Sequence, residues 1–167
     1  LVAPVKGVLL LGGKKVPFYV VPPAHFDRTR KYPMVIDAAA QNRWNEFSQT
    51  LANAGIYYVA IDRLMQTTHE DPQKAAGEYL ALYSYMSHRP SVDTDRIYIA
   101  GFCASTTSLK EAVRLKPEFW RGALLMSPVV LPTLPGPDQP APKRFPDLLV
   151  SQGVYGGVPV PVPTLEK

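Results

Sequence analysis

Short apolar segments alternate along the chain with segments in which apolar residues recur at helical spacing. The apolar segments have the length of buried strands, and Gly, Pro or polar residues bound them. The first two helical segments are followed by residues that stop helices, Gly55 and the pair Arg89-Pro90. The predicted strands are residues 32–37, 56–61, 97–100, 122–126 and 148–152, and the predicted helices are residues 44–54, 71–88 and 106–115.

The helical spacing also predicts which side chains face the core. In the first helix these are Trp44, Phe47, Leu51 and Ala54, and in the second they are Ala76, Leu80, Tyr83 and Ser87. Ahead of both helices, residues 7–11 and 16–21 form two β-type segments joined by Gly12-Gly13-Lys14-Lys15. A glycine-rich link between such segments predicts an N-terminal β-hairpin.

Strands that alternate with helices predict a mainly parallel sheet covered by helices on both faces, which is a three-layer α/β fold. The 167 residues have the length of one domain, so residues 1–167 are assigned to a single α/β unit. Within it, residues 128–146 contain seven prolines among nineteen residues. The proline content predicts an extended surface loop, and a polyproline ligand for a partner is the alternative.

Composition and charge exclude several functional classes. Apolar residues make up 46% and charged residues 19%, which is typical of a globular protein, and no apolar run is long enough to span a bilayer. The net charge is +4, but the basic residues are dispersed rather than arranged in a stripe, so nucleic-acid binding is not expected. The single cysteine, Cys103, excludes an internal disulfide and a thiolate metal cluster. We expect no metal and no cofactor.

Cys103 lies where a predicted strand runs directly into a predicted helix. The nucleophile elbow of α/β-hydrolases has the form G-x-nucleophile-x-G, with small flanking residues because the turn is tight. Here the segment is Gly101-Phe102-Cys103-Ala104-Ser105, which places Cys103 at the nucleophile position and the Ala104 N–H at an oxyanion position. The positive end of the following helix would favour the thiolate. The alternative is that Cys103 is an inert small residue at a tight crossing.

Four stretches of the chain resemble the catalytic domain of prolyl-oligopeptidase-type hydrolases and their esterase and dienelactone-hydrolase relatives. The four are KYPMVI at 31–36, LANAGIYYV at 51–59, VDTDRIYIAG at 92–101 and PEFWRGALLMSP at 117–128. Their order along the chain is that of the family. The resemblance implies an α/β-hydrolase fold of which the C-terminal part is missing.

The resemblance also implies where the family's other catalytic groups would lie, and the sequence departs from each. After the first parallel strand the family has His-Gly, whereas this chain has Asp37-Ala38-Ala39-Ala40-Gln41, in which the Ala40 N–H is a candidate second oxyanion donor. At the family's acid position stands Gly156, and Asp138 is a weaker candidate for that role. The family's histidine would follow a further strand, and none of His25, His69 and His88 matches it.

Two functional hypotheses therefore remain. The favoured one is a non-catalytic or very weakly active α/β-hydrolase-like subunit that acts in binding or assembly. The alternative is an ester or peptide hydrolase with Cys103 as nucleophile and a histidine supplied by sequence beyond Lys167. In either case we expect the chain to contact another polypeptide, its own C-terminal continuation or a separate subunit. The sequence starts at Leu1 without a signal peptide, so a soluble, exported and processed protein, an excised domain and an incomplete sequence are all compatible.

Overall fold

The computed structural model describes residues 1–39, 46–62 and 71–126, and the backbone of residues 147–151. Trp44, Ala40, His69, Asp138, Gly156 and the 128–146 loop lie outside the described residues. The strands are β1 Val5–Leu11, β2 Lys14–Val21, β3 Tyr32–Asp37, β4 Tyr57–Ile61, β5 Val92–Phe102, β6 Gly122–Met126 and β7 Asp147–Ser151. The helices are α1 Glu46–Asn53, α2 Pro72–Ser87, α3 Ser105–Leu115 and a short 3₁₀ turn, Pro117–Phe119.

The described strands form one sheet in the order β1-β2-β4-β3-β5-β6-β7. β1 and β2 are antiparallel to each other, and β2 is antiparallel to β4. The pairs β3–β4, β3–β5, β5–β6 and β6–β7 are parallel. The predicted α/β class and N-terminal hairpin are confirmed, and the carboxyl ends of the parallel strands meet at one end of the sheet.

The hairpin turn is shorter than predicted. Leu11 pairs with Lys14, so only Gly12 and Gly13 form the loop, with φ of 56° and 77°. Two successive positive φ values define the type I′ turn, whose twist matches that of the flanking strands, and glycine adopts them without strain. The two lysines that were assigned to the link therefore begin β2.

Helices cover both faces of the sheet. On one face α2 and α3 pack on a large core that includes Met34, Ile36, Ile97 and Ile99, all fully buried. On the other face Ala52 of α1 belongs to a smaller cluster, Tyr19, Val21, Ala52, Tyr58 and Ala60. The apolar run of each inner strand is explained by this burial on two sides.

The predicted buried face of α1 is right in part, because Phe47 and Leu51 are half-buried and pack on the smaller cluster. Ser48, Gln49 and Ala52 are the buried residues of this helix, whereas Ala54 is exposed. Gln49 is buried because its side chain bonds both backbone groups of Val2, at 2.9 and 3.0 Å. A buried amide with both partners satisfied costs little, and periodicity does not reveal such a pair.

The buried face of α2 is rotated relative to the predicted one. Ala76 is buried as expected, but the centre of the face is Ala75, Tyr79, Leu82 and Met86, and Leu80, Tyr83 and Ser87 lie at its margin. The helix begins as predicted, because the Asp71 side chain accepts a hydrogen bond from the Lys74 N–H at 2.9 Å and Pro72 follows the cap. α2 contacts α3 as well as the sheet, so more than one stripe is buried.

Candidate functional site

Cys103 occupies a strained turn between β5 and α3. Among the described residues it is the single non-glycine residue with a positive φ, 52°. Non-glycine residues other than Asn and Asp rarely adopt the left-handed region of positive φ, and such backbone strain concentrates at functional sites. The thiol is exposed. The strand continues through Phe102 before it turns, one residue beyond the predicted break at Gly101.

Ser105 closes the elbow. Its hydroxyl donates to the Phe102 carbonyl and accepts from the Phe102 N–H, both at 2.8 Å, and the residue is 4% exposed. The hydrolase motif has glycine at this position, whereas here a small polar side chain bonds back across the turn. Thr106 adds a third hydrogen bond across the turn, since its hydroxyl donates to the Cys103 carbonyl at 2.6 Å.

The neighbouring strand and helix hold the elbow from either side. The Cys103 N–H donates to the Met126 carbonyl at the end of β6, at 2.9 Å. A Cβ added to Gly101 would lie 3.0 Å from Leu109 Cδ1 and 3.3 Å from Ser105 Oγ. Glycine at 101 therefore allows α3 to pack closely on β5, which is the physical reason for a small residue two positions before the nucleophile.

The segment after β3 lies beside the elbow. Asp37 pairs with Ala100 in the sheet, and the Ala38 N–H donates to the Ala100 carbonyl at 2.8 Å. The Asp37 carboxylate is buried and turned back, accepting from the Tyr58 hydroxyl at 2.5 Å and from the Ala39 N–H at 2.8 Å. Asp37 therefore fixes the start of this segment.

Tyr79 links this segment to the elbow helix. Its buried hydroxyl lies 3.2 Å from the Ala38 carbonyl, to which it donates, and 3.4 Å from Ser108 Oγ. Ser108 in turn donates to the Ser105 carbonyl at 2.9 Å. Sequence reasoning missed Tyr58 and Tyr79, because tyrosine in a strand or at helical spacing is typical of any core.

Of the two candidate oxyanion donors, the structure describes one. Ala104 precedes the first turn of α3, and in the described part of the chain its N–H donates to no backbone oxygen. Its role as an oxyanion donor next to Cys103 stays a prediction. Ala40 lies outside the described residues, so its role stays a prediction.

The two described histidines lie far from the elbow in the fold. His25 precedes β3, and its carbonyl accepts from the Tyr32 hydroxyl at 3.2 Å. His88 caps the C-terminus of α2, with Nδ1 2.5 Å from the Ser84 carbonyl oxygen. Both precede parallel strands, at the amino ends of these strands and opposite Cys103.

The described residues include no group of three or more potential ligands that could hold a metal ion. They likewise include no helix long and apolar enough to cross a membrane. The elbow itself is lined by backbone groups, hydroxyls and small apolar side chains.

Comparison of the fold with solved structures identifies a group of peptidases. The chain is similar to Porphyromonas gingivalis dipeptidyl peptidase 4, with a TM-score of 0.63 and 16% identity over 77% of this chain and 21% of that one. Oligopeptidase B from Trypanosoma brucei gives a TM-score of 0.64 and 12% identity over the same shares. A Bacteroides ovatus protein assigned as a dipeptidyl aminopeptidase IV gives a TM-score of 0.67 and 17% identity, over 77% of this chain and 21% of that one.

No family model matches the sequence, and no curated protein matches it. At these identities the likeness to solved structures shows the fold, which corresponds to a fragment of the α/β-hydrolase fold as found in the dipeptidyl peptidase IV and prolyl oligopeptidase family. The chain spans 21% of the length of these structures. The predicted fold is confirmed, and function rests on the site.

Proposed function

We propose that this chain carries the nucleophile part of an α/β-hydrolase-like site, in which Cys103 accepts an acyl group but the described residues do not turn it over efficiently. The observation that carries the proposal is the exposed Cys103 thiol at φ 52° on the strand–helix turn. A residue held in this conformation at the carboxyl end of a parallel strand has the placement of a hydrolase nucleophile.

The acylation step needs little beyond what the elbow supplies. The Cys103 thiolate attacks the carbonyl of an activated ester, and the developing oxyanion accepts a hydrogen bond from the Ala104 N–H. The tetrahedral species collapses with loss of the alkoxide or aryloxide, which leaves a thioester on Sγ. A cysteine needs an adjacent base less than a serine does, because sulfur is intrinsically a strong nucleophile.

Deacylation is the step for which the described residues lack groups. It requires a base that activates water, and neither His25 nor His88 is at this end of the sheet. Loss of such a base lowers turnover by several orders of magnitude in triad enzymes. We therefore expect a weakly active or non-catalytic chain, unless a histidine from sequence beyond Lys167 completes the site.

A second candidate function is binding or assembly without chemistry. It is supported by the segment after β3, where Asp37-Ala38-Ala39 stands in place of the family's His-Gly and the Asp37 carboxylate accepts hydrogen bonds from the Tyr58 hydroxyl and the Ala39 N–H. In this role the hydrolase scaffold would present a surface to another polypeptide, and Cys103 would be chemically inert.

Release of p-nitrophenolate from p-nitrophenyl acetate distinguishes the two functions. We expect a rapid phase of one phenolate per chain, since the chain has one cysteine, followed by a rate close to background. Cys103→Ala should abolish the rapid phase, and Cys103→Ser should do the same because a hydroxyl needs the absent base. The urea-unfolded chain provides the rate of an ordinary thiol.

Acylation no faster in the folded than in the unfolded chain would refute the nucleophile proposal and favour the binding function. Sustained turnover at the rate of ordinary esterases, abolished by Cys103→Ala, would instead refute the claim that the described residues lack a deacylation base.

A further inference from the structure

A cavity of about 260 Å³ lies between the β1–β2 hairpin and the C-terminal end of α2, where β4 begins. It is at the opposite end of the sheet from Cys103. Four of its lining residues are aromatic, Phe18, Phe26, Tyr57 and Tyr85. The volume suits a ligand with one ring rather than a drug-sized molecule.

The aromatic rings of the wall support one another. Phe18 and Tyr85 meet edge to face with centroids 5.3 Å apart, and Phe26 and Tyr57 do so at 6.1 Å. Tyr85 and Phe26 are nevertheless 46% and 48% exposed. Two half-exposed rings with ordered neighbours offer a ligand ring apolar contact at low entropic cost.

Arg89 supplies a positive charge at the same cavity. Its guanidinium stacks 5.4 Å from the Tyr85 ring centroid and donates to the Tyr85 hydroxyl at 3.3 Å. Burial raises the pKa of the Tyr57 phenol, and the hydrogen bond with Ser91 and the Arg89 charge oppose this rise. The Arg89 charge therefore acts on Tyr57 as well as on Tyr85.

Arg89 has no carboxylate partner among the residues that the structure describes. Lys6, the other cation lining the cavity, faces Asp62 at 4.0 Å. The carboxylate next to Phe26 is Asp27, and it accepts hydrogen bonds from the N–H and hydroxyl of Thr29 at 2.8 and 2.7 Å. Arg89 thus keeps N–H donors for an anion from outside the described chain.

Gly7 sets the shape of the cavity from the hairpin side. A Cβ at this position would lie 2.3 Å from Phe18 Cζ, so the Phe18 ring occupies the space that glycine leaves. Any larger residue would displace the ring, which is itself part of the cavity wall.

We propose that this cavity binds a small aromatic carboxylate, with the ring between Phe26 and Tyr85 and the carboxylate on the Arg89 guanidinium. The charge-assisted, bidentate contact sets the preference for an anion, and the aromatic wall sets the preference for a ring. The proposal does not depend on any activity of Cys103.

Titration of the full chain with phenylpropionate, followed through the backbone amide of Gly7 and the Nε–H signal of Arg89, tests the proposal. We expect saturable shifts of both signals. The neutral amide phenylpropionamide should bind about tenfold more weakly or worse, because a hydrogen bond to a charged group contributes more than one between neutral groups. Arg89→Gln should lower the affinity for the carboxylate by a similar factor.

Two matched variants serve as controls. Arg30→Gln removes an arginine that stacks on Tyr32, at 5.6 Å, outside the lining residues, and should leave the affinity unchanged. Gly7→Ala should abolish binding, whereas Gly77→Ala on α2, where a Cβ meets nothing within 4 Å, should not. Equal affinity for acid and amide, unchanged affinity in Arg89→Gln, or no saturation at millimolar ligand would overturn the proposal.

Discussion

The two ends of the parallel sheet are built from different kinds of residues. The amino end is closed by packed rings, with Trp120 fully buried and its centroid 5.3 Å from that of Tyr83. The carboxyl end is built from glycine, alanine and hydroxyl side chains, and it holds Cys103 at a positive φ. Large rings contribute buried area, whereas small residues allow backbone groups and the exposed Cys103 to lie at the surface.

This difference separates stability from chemistry. A strained residue persists only when its surroundings determine its conformation, and here hydrogen bonds from Ser105, Thr106 and Met126 do so. The hydrophobic term that favours folding comes instead from the core and from the aromatic amino end. Changes at the amino end should therefore affect unfolding, and changes at the carboxyl end should affect acylation.

The largest stability effect is expected for Trp120→Ala. Removing a fully buried Trp should lower the free energy of unfolding by about 3–5 kcal/mol. The matched change at the other end, Phe102→Ala, removes a ring that is 43% exposed and should cost under about 1 kcal/mol. Urea denaturation measures both. Equal losses would contradict the division between the two ends.

Ser105→Ala should have a smaller effect on stability and a clear one on acylation. It removes both hydrogen bonds across the elbow, so we expect a loss of about 1–2 kcal/mol and slower acylation of Cys103. Thr107→Ala, an exposed hydroxyl two residues further along α3, is the control. Acylation of Cys103 at the parent rate in both variants would contradict the assignment of acylation to the carboxyl end of the sheet.

The sequence predicted most of the fold because each strand and helix carries its own local signal. Buried strands are continuous apolar runs, and Asp71-Pro72 and Gly12-Gly13 mark the ends of elements. The start of β5 was missed because residues 92–96 are polar and turn-like, yet Val92 pairs with Tyr32 of β3 and the register shifts before Ile97 pairs with Met34. Pairing with a neighbouring strand overrides local propensity at such positions.

The candidate site was predicted only at the elbow. Gly101 to Ser105 form a contiguous motif, so spacing alone places Cys103 on the turn. The anchors Asp37, Tyr58 and Tyr79 come from three separate elements, and only the folded chain brings them to the segment after β3. The contacts of Gln49 with Val2 and of Arg89 with Tyr85 could not be predicted either, because they are made by side chains and contribute no pattern to the sequence.

The smallest effect concerns pH at the amino end. Hydrogen bonding to Arg96 lowers the pKa of the Asp93 carboxyl in the folded chain, against a partial opposing effect of burial. The folded pKa is below the unfolded one, so the ion pair stabilises the fold at neutral pH and this is lost as pH falls through the lowered pKa. Exposure limits the contribution to under about 1 kcal/mol.

Arg96→Gln should remove that part of the acid dependence of unfolding and leave stability at low pH unchanged. Urea denaturation of the parent and variant between neutral pH and the acid range measures it. A constant difference between the two at every pH would show that the Asp93–Arg96 pair is not its cause.

We propose that the elbow keeps a nucleophile and that the described residues do not supply the groups for its turnover. Intact-mass analysis of the folded chain at the end of the rapid phase with p-nitrophenyl acetate tests it most directly. We predict one acetyl group on nearly every chain, on the peptide that contains Cys103, persisting after the ester is removed. Unmodified protein that has nonetheless released many equivalents of phenolate would contradict the account, as would acetylation that is equally fast in the unfolded chain.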